Sequence, residues 1–340
     1  MDDSLPLLTT PLCALLGIRV PVVQAPVGSA TTPELVAAVS GAGGLGMLAI
    51  TWLQPSAVTS RLDRVKDLTT APVGVNASLA FPVRAQVEAA LAAGVRLVST
   101  FWGDPADLHD VIADGGALHL HTVRSPTEAI QAVESGVDVV VAQGWEAGGH
   151  VWGEVASLPL IPAVVDAVGP VPVIAAGGIS DGRGLAAALV LGAQAAWMGT
   201  RFLAAEEAST HAHYRARLLA ADATTTVHTA CFDGGWPGAP HRVLRNRTLD
   251  EWEHAGRPAA PDRPGEGEVI ARGPDGAVFH RYDDMIPLAD LDGELDLMAL
   301  YAGQSVGLVT DVRPASEILR TIVSDAARRL SRWSEERPRG

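Results

Sequence analysis

Val171-Pro-Val-Ile-Ala-Ala-Gly-Gly-Ile-Ser-Asp-Gly-Arg-Gly-Leu-Ala-Ala-Ala-Leu-Val-Leu-Gly192 holds the repeating unit of this chain. An apolar run, 171–176, ends in a glycine pair. Asp181-Gly182 then opens an alanine- and leucine-rich stretch, and Gly192 closes it. The order is strand, loop, helix, with helix-start and helix-stop chemistry at the correct ends. The unit recurs outward from here. Apolar runs lie at 20–24, 45–50, 72–76, 97–100, 118–122, 137–142, 171–176 and 195–198, and helical stretches between them include 33–40, 82–93, 126–135 and 182–191. Short buried strands alternating with helices pair in parallel. Eight of them close a TIM (β/α)8 barrel, and an open doubly wound sheet is the rival architecture. The pattern predicts an α/β fold of the barrel kind.

The rhythm stops after Phe202. Residues 211–221 read as helix, 231–238 are rich in glycine and tryptophan, and 256–267 are rich in proline and glycine. Residues 205–305 are expected to form a helical or irregular cap inserted after the eighth strand. Residues 1–204 and 306–340 are then the barrel domain, ending in an amphipathic helix over 315–334 and an arginine-rich, solvated tail. The 340 residues carry a formal charge of −14, which argues against nucleic acid or an anionic membrane as partner. The acidic N-terminus, the lack of a spanning-length apolar run and two isolated cysteines, Cys13 and Cys231, predict a cytoplasmic protein.

Several motifs compete for chemistry. Gly41-Ala-Gly-Gly-Leu-Gly46 matches a dinucleotide fingerprint as a string, but a helix precedes it and a strand follows, so it reads as an αβ turn. Gly178-Ile-Ser180-Asp-Gly182 matches a nucleophile elbow in the correct order, which keeps a hydrolase in play, although Ser180 reads better as a helix cap. Glycines after the seventh and eighth runs, Gly177-Gly178 and Gly199-Thr200, sit where such barrels bind phosphate. Asn76 and Gln143 end the third and sixth runs, either as ligand contacts or as caps of their own loops. Gln143-Gly-Trp-Glu-Ala-Gly-Gly-His150 joins a buried strand, two glycines and a histidine. His150 is the candidate for proton exchange with a ligand, the alternative being a surface histidine. Glu146 reads as an acceptor that steadies this loop. His211 and His213 are two apart and do not share a helix face, so no metal site is expected.

Val23-Gln-Ala-Pro26, the turn ending at Gly46, Gly74-Val-Asn76, the loop ending at His150, Ala176-Gly-Gly-Ile-Ser-Asp-Gly-Arg183, Met198-Gly-Thr-Arg-Phe202 and Tyr301-Ala-Gly-Gln304 occur in that order. Together they resemble the nitronate monooxygenases, formerly 2-nitropropane dioxygenases, over about residues 18 to 330. The resemblance implies FMN on a TIM barrel with a helical cap. It implies that Ala25, Pro26 and Val27 lie against the flavin and that Asn76 and Gln143 hydrogen-bond its ring. Gly148, Gly177, Gly178, Gly199 and Thr200 would hold the phosphate, with Trp197 and Met198 also at the cofactor. His150 would face the substrate, and Tyr301 and Gln304 would close the pocket from the cap. The implied reaction is oxidation of an alkyl nitronate or nitroalkane by O2 to a carbonyl compound and nitrite. The alternative is an NAD(P)H-dependent flavin reductase of the enoyl-ACP or quinone reductase type. The expected partners are a small substrate and O2, and a homodimer is admissible. Val27, Gly28-Ser-Ala30, Trp145, Trp152 and Trp197 depart from the common family pattern and bear on which substrate is used.

Overall fold

A computed structural model describes residues 8–335. The arginine-rich tail from residue 336 lies outside the described residues. Eight parallel strands close into a barrel: β1 Val22–Gln24, β2 Leu45–Ala49, β3 Val73–Ser78, β4 Leu97–Phe101, β5 Leu118–Val123, β6 Val139–Gln143, β7 Val173–Ala176 and β8 Ala195–Met198. Closure is made by β8 against β1, with Val22 opposite Ala196 and Val23 opposite Trp197. The barrel is therefore the architecture, and the open sheet is not.

Side chains alternate in and out along each strand. Val23, Leu45, Met47, Leu120, Val141, Ile174 and Trp197 fill the interior. The helix Pro11–Leu16 plugs the barrel floor with Leu12, Cys13 and Leu16, held there because Leu12 N–H donates to Gln194 Oε1 at 2.9 Å. The outward positions Val22, Ala175, Ala196 and Met198 pack under the helices Pro33–Gly41, Gly182–Val190 and Ala315–Glu335. Small residues there let helix and sheet approach closely. The turn after Pro33–Gly41 leads directly into β2, as an αβ turn should.

The segment after β8 differs from its expectation. It contains helices Ala212–Ala220 and Arg247–His254, but also two small antiparallel sheets. One consists of β9 Thr226–Thr229, β10 His241–Leu244 and the two-residue strand Gly149–His150. The other joins Val269–Arg272 to Val278–His280 and Asp292–Gly293. Strands of two to four residues are too short for a period-2 pattern to be read from sequence. No helix among the described residues is long and apolar enough to cross a membrane.

Candidate active site

A cavity of about 610 Å³ opens at the C-terminal ends of the barrel strands, under the segment that follows β8. From the barrel come Ala25, Pro26 and Val27 after β1, Asn76 from β3, Thr122 from β5, Gln143 from β6, Gly177 and Gly178 after β7, and Trp197, Gly199 and Thr200 at β8. Strand ends converge there because every parallel strand points the same way. Trp197 faces inward and lines the cavity. Its neighbour Met198 cannot do so, since successive residues point to opposite faces, and its side chain lies in the outer helix–sheet layer. Gln304 does not line the cavity either. Its N–H donates to the Glu146 carbonyl at 2.9 Å, and Gly303 and Ser305 on either side reach the wall.

Three polar features of the wall look outward for partners. Gln143 Nε2 donates to the His150 carbonyl at 3.2 Å, which leaves Gln143 Oε1 buried without a partner. Thr200 Oγ1 accepts from Gly303 N–H at 3.0 Å, so its own proton is free to be donated. No protein acceptor meets the N–H groups of Gly178 or Gly199 among the described residues. Gly178 holds φ at +72°, a conformation in which consecutive amides can converge on an anion.

The loop Gln143–His150 is clamped from several sides. Arg242, buried in β10, donates from Nε and Nη2 to the Trp145 carbonyl at 3.2 and 2.8 Å. Glu146 accepts from Ser157 N–H at 2.8 Å and Ser157 Oγ at 2.9 Å, so it steadies the loop as expected. Gly148 presses so closely on the returning chain that a Cβ there would overlap the backbone of Ala302 and Gly303.

These contacts deliver His150 to the cavity wall, inside an aromatic box. The Trp236 ring stacks on it at 4.3 Å, and the Trp102, His241 and Tyr301 rings lie at 5.9, 5.6 and 5.6 Å. Only Nε2 of its ring is fully buried without a hydrogen bond; it lies 3.5 Å from Asp284 Oδ2. Burial pushes His150 down to about 3, with His241 adding to the effect, so the resting imidazole is neutral. Burial pushes Asp284 up to about 6, against the lowering effect of the Tyr301 hydroxyl that donates to its Oδ1. Tyr214 in turn donates to the Tyr301 carbonyl. His241 uses both nitrogens: Nδ1 meets the Ala239 carbonyl at 2.9 Å and Nε2 accepts from Phe232 N–H at 3.3 Å.

Asp284 escaped the sequence reading. It sits in an irregular stretch, 283–291, with no motif around it, and only the fold carries it to His150. Much of the remaining wall is apolar: Trp52 and Phe81 from barrel loops and Phe101 at the end of β4 line it together with Val278, Phe279, Met285 and Ile286. Asp283 and Asp284 line the cavity, whereas no lysine or arginine does among the described residues.

Ser180 does not form a nucleophile elbow. Its Oγ donates to Ser305 Oγ at 2.6 Å, and no histidine partner meets it. Nor does it cap the following helix; Asp181 does, accepting from Arg183 and Gly184 N–H groups at 2.9 and 3.2 Å. A carboxylate one residue later outcompetes the hydroxyl for the free amides.

Known proteins resemble this chain along nearly its whole length. The (3aS,4S,5R,7aS)-5-hydroxy-7a-methyl-1-oxo-octahydro-1H-indene-4-carboxyl-CoA dehydrogenase of Mycobacterium tuberculosis is 34% identical, with 95% of this chain and 97% of that protein covered. The nitronate monooxygenase of Pseudomonas aeruginosa is 32% identical, covering 92% and 97%. Among solved structures, FabK from Thermotoga maritima superposes with a TM-score of 0.79 at 29% identity, covering 96% and 98%. The family model described as Nitronate monooxygenase matches residues 9–86 and 77–325. Barrel, strand-end cavity and motif order agree with that match, and the chain belongs to the nitronate monooxygenase family.

Proposed function

We propose that this protein is an FMN-dependent oxidoreductase that oxidises a nitroalkane or its nitronate with O2, giving a carbonyl compound and nitrite. The observation that carries the reading is His150. It is a neutral imidazole on the cavity wall, set at the end of a glycine loop fixed by Gln143 and Arg242. A neutral imidazole in hydrogen-bond reach of a C–H acid is a competent general base.

The wall residues suit FMN. Gln143 Oε1, buried and unpaired, matches a ring N–H of an isoalloxazine. Asn76, whose Nδ2 donates to Ser99 Oγ at 3.2 Å, keeps its carbonyl oxygen available on the same wall. The free N–H groups of Gly178 and Gly199, with the Thr200 hydroxyl, suit a phosphate. Bound there, FMN supplies the electron transfer between substrate and O2. The protein's own part is to bind, to hold the reacting carbon beside His150, to move the proton and to exclude water with the apolar lip.

A second reading, an NAD(P)H-dependent reductase, is favoured by one feature. The apolar lip of Trp52, Phe81, Phe279 and Met285 is larger than a small nitroalkane needs, and a dehydrogenase is among the relatives. Anaerobic mixing of the yellow protein separates the two. Loss of flavin absorbance on adding nitroalkane or nitronate alone is expected. Rapid loss with NADH or NADPH, and none with either nitro species, overturns the proposal in favour of the reductase.

A further inference from the structure

The barrel supplies the histidine, and the following segment supplies a buried carboxylate aimed at it. We propose that Asp284 is the positioning residue for His150 and that it makes the site select the uncharged carbon acid over its preformed anion. The proposal rests on the oxidase reading above for its substrate, though not for its geometry.

The side chains of Asp284 and His150 are each only 9% exposed, and their nearest polar atoms are 3.5 Å apart. Asp284 is fixed from behind: Tyr301 donates to Oδ1, and Asp284 N–H donates to the Gly234 carbonyl at 2.9 Å. Oδ2 therefore faces Nε2 of His150. An acceptor on Nε2 places the imidazole proton there and turns the lone pair of Nδ1 to the cavity. The C–H proton of the substrate passes to Nδ1. The electron pair stays on the substrate, which becomes the nitronate, and the new imidazolium faces the Asp284 carboxylate. No electron leaves the substrate in this step.

The same carboxylate disfavours a substrate that arrives already negative. Asp283 adds a second acidic group to the wall, and no lysine or arginine there offsets them among the described residues. The other titratable groups around the pair are His241, which burial keeps neutral, and Tyr301 and Tyr214, which burial pushes up and so keeps as neutral phenols; none of the three supplies a positive charge.

The test is Asp284→Asn in the flavin-loaded protein, with Tyr301→Phe as the milder variant. The unaltered enzyme is expected to show higher kcat/KM for neutral 2-nitropropane than for its nitronate. Asp284→Asn is expected to lose about 10²-fold in kcat/KM for the neutral form, with loss for the nitronate less than a tenth of that. Tyr301→Phe should move in the same direction by less. Parallel loss on both forms marks a merely structural role and overturns the proposal, as does no change on either. If neither form is turned over, the oxidase reading fails. The geometry is still tested by ¹⁵N NMR of the histidine ring. In that measurement, Asp284→Asn must change the tautomer or titration of His150. An unchanged His150 signal overturns the proposal whatever the substrate is.

Discussion

The barrel wall and the cap wall of the cavity are built by different rules. On the barrel side, each side chain sits at a strand end, and its direction follows from the alternation of the sheet. Trp197 faces in and Met198 faces out for that reason alone. On the cap side, Asp284, Tyr301 and Phe279 lie in short strands and turns whose positions depend on long-range contacts. On the proposed reading, the proton acceptor His150 follows a barrel strand, whereas Asp284, which bears on substrate selection, comes from the cap.

The largest effect expected from breaking this division lies on the barrel side. His150→Asn keeps Gln143, Gly178 and Thr200, so the purified protein should remain yellow. It should lose about 10²–10⁴-fold in turnover. Absorbance and steady-state rates measure the two outcomes together, and full activity in this variant would remove His150 from the mechanism.

The joint between the walls should come next. Gly148→Ala drives a methyl group into the backbone of Ala302 and Gly303. Overpacking of this kind costs about 1–3 kcal/mol. A lowered Tm is expected, together with weaker cofactor retention, because the loop and the returning chain must separate. If Tm and cofactor binding both match the parent protein, the close approach of the two walls is not a constraint.

The smallest effect on the site concerns a histidine pair of the barrel that does not line the cavity. Thr100 Oγ1 lies 2.7 Å from both His119 Nε2 and His121 Nδ1, beneath the helix Ala106–Asp114. Burial holds His119 down to about 3 and His121 down to about 4, below the ordinary value of 6.5. The unfolded chain therefore binds protons first as pH falls. Stability from these groups is intact above pH 6.5 and is lost as pH drops toward the folded values. The loss is at most about 1.4 kcal/mol per pH unit for each histidine. A plot of Tm against pH should bend downward below 6.5, and His119→Asn should flatten it. An equally steep plot in that variant would place the acid sensitivity elsewhere, with His150 and His241 at the joint as the next candidates.

Much of the barrel wall was legible because its signals are local. An apolar run followed by Gly177-Gly178 or Gly199-Thr200 marks a strand, its end and a loop with free amides, and the cavity lies where those ends meet. The histidine network of Thr100, His119 and His121 was not legible, since it joins neighbouring strands and depends on which face each residue takes. Ser180 was misread as a cap because string matching cannot weigh it against the adjacent Asp181, whose carboxylate binds the free amides more strongly.

By itself the sequence determined the eight-fold repeat, the strand-end residues and the glycine loop that ends in His150. Those features follow from short-range periodicity, which each segment carries within itself. Only the tertiary structure decided that Gly149–His150 is the edge of a cap sheet, with His150 opposite His241, and that Asp284 and Tyr301 face the His150 imidazole. Residues 91 to 151 positions apart meet there through the closure of the chain over the barrel, and no local pattern encodes such a meeting.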